Sequence, residues 1–303
     1  MVQAAAKTTN HGLATRALMP GFAVEILGLS LPTATPAELE SFDAICRTNP
    51  VVVVRNQTLT AAQLMSVSER LGKVSAQHRV GSHPEFPGIT ILSNKKVDGR
   101  MIGVHEHGRR WHTDGTTYEK LGLTTILYGI ECPPEGADTL IADAVTAFAS
   151  LPEERQKELE KVEVVHNRAH LMRKYNRVEK LGYTAEEIEA MKDVIHPVVV
   201  KSPIDGRKSF FLTNGSTKSV VGMEKDEGFG LIEQLINHVT QDKFVYRHKW
   251  RANDMLIWNN MCTMHLATWF DDSKYDRVVY RTWIRPFDVV PATSGAEEAM
   301  AHH

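Results

Sequence analysis

The spacing of apolar positions changes period several times along the chain, and each change predicts an element. Phe22 to Leu27 alternates in part and carries Val and Ile, which predicts a first strand. Thr35-Pro36-Ala37-Glu38 predicts a helix start, with Thr as N-cap, Pro at the first helical position and Glu at the third. Leu39, Phe42, Ile45 and Cys46 follow on one face, and Asn49-Pro50 ends the run. Val51 to Val54 is an unbroken β-branched stretch, the pattern of a strand buried on both faces. Thr60-Ala61-Ala62-Gln63 is a second capping box, with Leu64, Val67 and Leu71 at helical spacing behind it. Further strands are expected at Ile89–Leu92, Leu123–Tyr128, Asp138–Ala142, Val198–Val200, Ser209–Thr213, Lys243–Trp250, Met255–Trp258 and Arg277–Arg285. Helices are expected near Ala144–Leu151, Pro152–Val162 and Lys225–Thr240.

Many short strands, a few helices, no internal repeat and no βαβ rhythm predict a mainly β fold, a sandwich or jelly roll with flanking helices. No GxGxxG follows a strand, which argues against a dinucleotide-binding fold.

Composition narrows the function classes. A formal net charge of −2 over 303 residues does not suit a dedicated nucleic-acid binder. No apolar run approaches the roughly 20 residues of a membrane span. Three scattered cysteines, Cys46, Cys132 and Cys262, form no CxxC pair and suit reduced thiols in a cytoplasm. Met1 to Leu18 reads as a flexible leader, 19–290 as one catalytic domain, and 291–303 as a flexible tail.

Two stretches are rich in polar, mostly basic side chains. Ser75 to Arg110 carries Gln77, His78, Arg79, His83, His105, His107, Arg109 and Arg110. His166 to Lys180 carries Arg168, His170, Arg173, Lys174 and Arg177. Each reads as a solvated surface or as a mobile lid over a site.

The candidate chemistry begins at Trp111-His112-Thr113-Asp114-Gly115-Thr116. On an extended segment, positions i and i+2 face the same way, so His112 and Asp114 converge. An imidazole and a carboxylate aimed at one point are two-thirds of the facial triad that holds non-haem iron(II). Spacing alone is weak, because a random chain of this composition would carry about 0.6 such pairs. His83-Pro84-Glu85 has the same pattern beside Pro87 and reads as a turn. His105-Glu106-His107 offers a competing His-x-His set between Gly103 and Gly108. Further on, the apolar strand ending at Trp258-Asn259-Asn260 is followed by a lone His265, which in isolation reads as a packed core residue. Arg277 and Arg281 lie four apart on a predicted strand and so share a face. If that face is interior, they require anions.

Taken together, these segments resemble the taurine dioxygenase and 2,4-dichlorophenoxyacetate dioxygenase family of iron(II)- and 2-oxoglutarate-dependent oxygenases. The resemblance runs from about Gly21 to Pro286. It is carried by Trp111-His112-Thr113-Asp114, Gly136-Ala137-Asp138-Thr139-Leu140, His196-Pro197-Val198-Val199, Gly206-Arg207-Lys208-Ser209, Trp258-Asn259-Asn260, His265 and Arg277 to Thr282. It implies a double-stranded β-helix, that is, a jelly roll. It implies His112, Asp114 and His265 as iron(II) ligands, and Arg277 and Thr139 on the distal carboxylate of 2-oxoglutarate. Arg281 matches a second arginine that can face an anionic substrate; Gly115, His78 and Arg79 are further candidate substrate contacts. The chain departs from the family at Val200-Lys201-Ser202, at Asn259 and at Met261, none of which touches the metal set.

The implied reaction consumes 2-oxoglutarate and dioxygen and hydroxylates a small anionic substrate, with cleavage where the carbon bears a heteroatom. The rival readings are a zinc hydrolase on the same His/Asp/His set and a non-catalytic jelly-roll binding protein. No nucleic acid or membrane partner is expected. Outer helices of a jelly roll often make subunit contacts, so a homo-oligomer is.

Overall fold

The computed structural model describes residues 7–76, 80–105, 108–121, 124–201, 205–285, 287–288 and 290–291. The architecture is mainly β with helices outside, as the apolar pattern predicts. A nine-stranded sheet runs Lys7–Asn10, Leu13–Met19, Ala23–Ile26, Val51–Val54, Met255–Asn259, Thr124–Glu131, Val278–Arg285, Lys73–Val74, and Ile89–Ser93 also pairs with Val278–Arg285. A three-stranded sheet, Val245–His248, Thr139–Asp143 and Thr263–Ala267, faces it.

The all-valine strand shows why the pattern works. Val51 and Val53 pack between the sheets with Leu127, Leu256, Ile141 and Tyr246. Val52 and Val54 point the other way, against Phe42, Ile45, Leu64 and Val67 of the two helices Pro36–Thr48 and Ala61–Leu71. With both faces covered, no position along the strand is left for a polar side chain. Both helices begin with the predicted capping boxes, at Thr35/Glu38 and Thr60/Gln63. The first helix is the crossover between Ala23–Ile26 and Val51–Val54, which pair in parallel. Beyond the ends of the valine strand, Asn259 N–H donates to the Pro50 carbonyl (2.9 Å) and Gln57 N–H to the Asn253 carbonyl (2.7 Å).

The smaller sheet is covered on its outside by a second helical layer. Ala142 and Met264 meet Phe148 of the Ala144–Ala149 helix and Ile232, Leu235 and Val239 of the Lys225–Val239 helix. Next to it lie Glu163–Asn167, Asp193–Pro197 and Thr217–Val220, a three-stranded sheet.

Two expectations are corrected. The stretch expected to be a flexible leader is in part built into the large sheet: Lys7–Asn10 and Leu13–Met19 form a hairpin that pairs with Ala23–Ile26. Alternation supplies the reason, since Leu13 and Thr15 are buried while Ala14 is exposed. Of the expected tail 291–303, Pro291 pairs with Val200 in a short strand and the rest lies outside the described residues. The basic stretch 166–180 is partly helical: Asn167 caps a helix over Arg168–Lys174 and its side-chain oxygen accepts from His170 N–H at 2.7 Å. Among those described, no helix is long and apolar enough to cross a membrane, and Cys46, Cys132 and Cys262 are unpaired.

Candidate metal centre and cavity

Strand register delivers the site. Residues directly opposite each other in an antiparallel pair share a face. Ile141, in the core between the sheets, is opposite His265, and His265 is bridged in turn to His112. Both imidazoles therefore face the interior, with ring centroids 4.1 Å apart. His112 and His265 exchange backbone hydrogen bonds of 3.0 and 2.8 Å. Thr113, between the two candidate ligands, turns away and donates to the Thr263 carbonyl at 3.0 Å. Asp114 then points back to the histidines, as the i, i+2 spacing predicts. Its oxygens lie 3.7 Å from His112 Nε2 and 3.8 Å from His265 Nε2. One ligand atom from each of the three residues falls within 4.8 Å of the others. Gly115 follows with φ +84°, a turn an L side chain would strain.

The donor set suits a divalent metal. His112 Nδ1 lies 2.7 Å from the Arg110 carbonyl, which can only accept, so Nδ1 carries the proton and the Nε2 lone pair faces Asp114. Asp114 is held on its other side by the opposing sheet. Its Oδ2 accepts from the Thr125 hydroxyl (3.0 Å), which accepts from Asn260 Nδ2 (2.8 Å), whose Oδ1 accepts from Trp258 Nε1 (3.0 Å). Thr125, Asn260 and Trp258 are all buried, and the Trp258 ring packs on His265 at 4.7 Å. Burial would raise the Asp114 pKa, but His265, Arg281, His112 and the Thr125 hydroxyl overcome it and hold the carboxyl well below its usual range. Burial pushes His265 down to about 3, with His112 and Arg281 adding to the effect and Asp114 opposing it. Both charge states, a neutral imidazole and an ionised carboxylate, are those that ligate.

Arg281 sits across from the ligands. It is opposite Leu127 in the large sheet, on the face that also presents Val279 and Trp283 to the interior. It lines a cavity of about 1290 Å³ with His112, Asp114, Gly115, Tyr118 and Trp283. Its Nε is buried without a hydrogen-bond partner. The internal carboxylate that could have neutralised it, Asp254, is instead paired with Arg55.

Arg277 precedes the strand and lines a small adjoining cleft with Asn94, Ala267, Thr268 and Phe270. Cleft and cavity share Val104, His105 and Arg109. Burial pushes Arg277 down to about 10, with the Cys132 thiol opposing and Arg109 assisting, so it stays a cation at neutral pH. Thr139 lines neither space directly. It is opposite Ala267 of the cleft, and its hydroxyl accepts from Trp250 Nε1 at 3.0 Å.

Other expectations resolve simply. His83 is a loop residue whose Nδ1 accepts from the backbone of Glu85 (3.2 Å) and Phe86 (3.3 Å). His105 is within 3.0 Å of Asp272, while His107, His78 and Arg79 lie outside the described residues. The motif reading missed Thr125, which no local pattern marks. Asn260 was visible only as part of Trp258-Asn259-Asn260, without a role.

The family model described as taurine catabolism dioxygenase TauD, TfdA family matches residues 14–283. The chain belongs to this family. It is 28% identical over 266 residues to the alpha-ketoglutarate-dependent 2,4-dichlorophenoxyacetate dioxygenase of Burkholderia sp. (strain RASC), covering 84% of this chain and 88% of that one. It is also 28% identical over 274 residues to the pentalenolactone F synthase of Streptomyces arenae, covering 87% and 91%. A solved taurine dioxygenase from Burkholderia xenovorans superimposes with a TM-score of 0.75 at 25% identity, covering 92% and 93%. The chain is thus an enzyme, an alpha-ketoglutarate-dependent dioxygenase that uses iron(II), 2-oxoglutarate and dioxygen. This sets aside the zinc hydrolase and the non-catalytic binding protein.

Proposed function

We propose that this dioxygenase hydroxylates a small-molecule organic anion, a carboxylate, sulfonate, sulfate or phosphonate, whose charged group is gripped by Arg281. The observation that carries this reading is a half-buried guanidinium on the cavity wall whose Nε is buried with no hydrogen-bond partner. The carboxylate it acts on, Asp114, is directed at the histidines and Thr125, and a planar guanidinium is complementary to an oxyanion. The similarity to a dioxygenase acting on 2,4-dichlorophenoxyacetate, itself a carboxylate, agrees with it.

In this reading His112 Nε2, Asp114 and His265 Nε2 hold iron(II). Bound iron and 2-oxoglutarate supply an oxidation that releases succinate and carbon dioxide and hydroxylates the substrate. The chain supplies placement. Arg277 receives the distal carboxylate of 2-oxoglutarate, and Thr139 assists: its hydroxyl accepts from Trp250 and has its own proton left to donate. Trp283 and Tyr118 line the cavity by Arg281 and help exclude water from the reacting carbon. Where that carbon bears oxygen, sulfur or nitrogen, the hydroxylated product breaks down and the outcome is bond cleavage.

The test is Arg281→Ala at saturating 2-oxoglutarate, with succinate and oxidised product both measured across a panel of anions. Product should vanish while uncoupled succinate formation persists. Unchanged apparent affinity for an anionic substrate in Arg281→Ala would refute the assignment. So would a wild type whose succinate formation responds only to neutral or cationic compounds.

A further inference from the structure

The cavity holds a second concentration of positive charge, around the ring of Tyr175. Tyr175 follows the Arg168–Lys174 helix, and three cations surround its ring. Arg110 lies 4.8 Å, Arg177 5.7 Å and Lys174 5.9 Å from the ring centroid. All four residues line the cavity. Arg110 comes from the segment before His112 and the others from the helix end, so two separate parts of the chain bring charge to one place.

Arg110 and Lys174 are exposed and Arg177 is half-buried, so solvent screens much of their mutual repulsion and the convergence itself is what marks the place. Burial and the neighbouring Arg110 both lower the pKa of Lys174. The tyrosine face attracts both exposed cations, and among the described residues no carboxylate is an ion-pair partner of Arg110 or Lys174. Lys174 Nζ donates only to neutral oxygens of Asn214, at 2.9 and 3.2 Å. Among the described residues that line the cavity, the acids are Asp114, which faces the histidines, and Glu233. The cavity is also large. At about 1290 Å³ it exceeds the roughly 300–1,000 Å³ of ordinary small-molecule sites. A compact monoanion held at Arg281 would leave most of it to water.

We infer that the Arg110/Lys174/Arg177 cluster around Tyr175 is a second oxyanion site, and that the substrate is a two-ended acid with one anionic group at Arg281 and another at its remote end. This rests on the reading of Arg281 given above. The body of such a molecule would cross the cavity past Leu171, Ile236 and Trp283, which are apolar lining. Binding at the remote end would orient the near end and select against shorter monoanions.

The probes are phenoxyacetate, 4-carboxyphenoxyacetate and its two-ring biphenyl analogue, which add a remote carboxylate at two distances. Each is titrated calorimetrically, without oxygen, into the full chain loaded with manganese(II) and 2-oxoglutarate. The wild type should bind at least one dianion about 10-fold or more tighter than phenoxyacetate, the scale of a charge-assisted hydrogen bond. The double variant Arg110→Ala/Lys174→Ala should reduce that preference to about 2-fold or less and leave phenoxyacetate affinity unchanged. Arg110→Gln/Lys174→Gln, which keeps the bulk, should do the same and guards against misfolding of the first. Arg281→Ala should weaken all three probes. A wild type that prefers no dianion, or a preference that survives both double variants, overturns the second site. A dianion preference that persists while Arg281→Ala has no effect overturns the Arg281 reading alone.

Discussion

Two places where histidine meets aspartate, one fully buried and one opening onto the cavity, have nearly the same separations and opposite fates. His248 Nε2 lies 3.5 Å from Asp254 Oδ2, and both residues are fully buried. The corresponding separations at the candidate metal centre are 3.7 and 3.8 Å. What differs is the third partner. Asp254 Oδ2 is engaged by the Arg55 guanidinium and by Arg251 N–H at 3.0 Å, and Arg55 reaches on to Glu25 at 3.6 Å. A fixed cation has already neutralised the carboxylate there. At Asp114 the contacting third partner is a second imidazole, which brings a lone pair and no obligatory charge, while Arg281 acts on the carboxylate from beyond ion-pair contact. The trio is left acceptor-rich and opens onto the cavity. A guanidinium turns a His/Asp pair into a structural lock; another histidine turns it into a site that calls for a metal.

Substitutions can break that comparison at several strengths. The largest effect is expected for His112→Ala and His265→Ala: no measurable turnover and no stoichiometric iron(II) by metal analysis, with circular dichroism unchanged. Near-normal activity in either would remove that residue from the ligand set. Arg55→Ala should instead destabilise the fold by about 3–5 kcal/mol, because it leaves Asp254 buried and uncompensated. Chemical denaturation measures this, and iron binding by the folded fraction should be unaffected. If Arg55→Ala loses metal but keeps its stability, the two pairs are not separable in the way described. On the role proposed for Arg277, Arg277→Ala removes one side of a desolvated charge pair, typically about 2–5 kcal/mol, so the half-saturating 2-oxoglutarate concentration should rise by about 30-fold or more. A titration curve that superimposes on wild type would end that assignment. The smallest change is Thr125→Val, which deletes the hydroxyl that steadies Asp114. Outer partners of ligands are commonly worth about 10–100-fold in metal affinity, and competition against a chelator would show whether this one is.

The fold was legible wherever one periodicity held over a whole element. The capping boxes at Thr35 and Thr60 and the valine strand fall where the pattern places them, within a residue or two. The Leu13–Met19 strand was missed because its buried side carries Leu and Thr among Ala and Thr, too little contrast to stand out from a polar leader. The metal set was legible in part. The i, i+2 relation of His112 and Asp114 is a local rule, and the structure keeps it. His265 comes 151 positions after Asp114, and only similarity to a family singles it out from a core histidine. The Asp114–Thr125–Asn260 chain could not be read at all, since Thr125 and Asn260 meet across 135 positions through sheet register. Arg281 was legible as a cavity residue only if its strand face was interior, and its unpartnered Nε depends on Asp254 being engaged elsewhere.

The valine strand carries an obligation of its own. A strand with one polar face punishes a one-residue slip, since every side chain would change sides. Val51–Val54 has no polar face, and sliding it by one position would exchange valine for valine. Its alignment must come from punctuation at its ends, the Asn259–Pro50 and Gln57–Asn253 hydrogen bonds. The neighbour aligned in this way is Met255–Asn259, which leads directly to Asn260. A slip there would shift the valine strand by about 3.4 Å against Met255–Asn259. Asn260 would stay by Thr125, because Trp258 is paired directly with Thr125 on the other side of that strand, so the aim of Asp114 is insulated from the register of the valines.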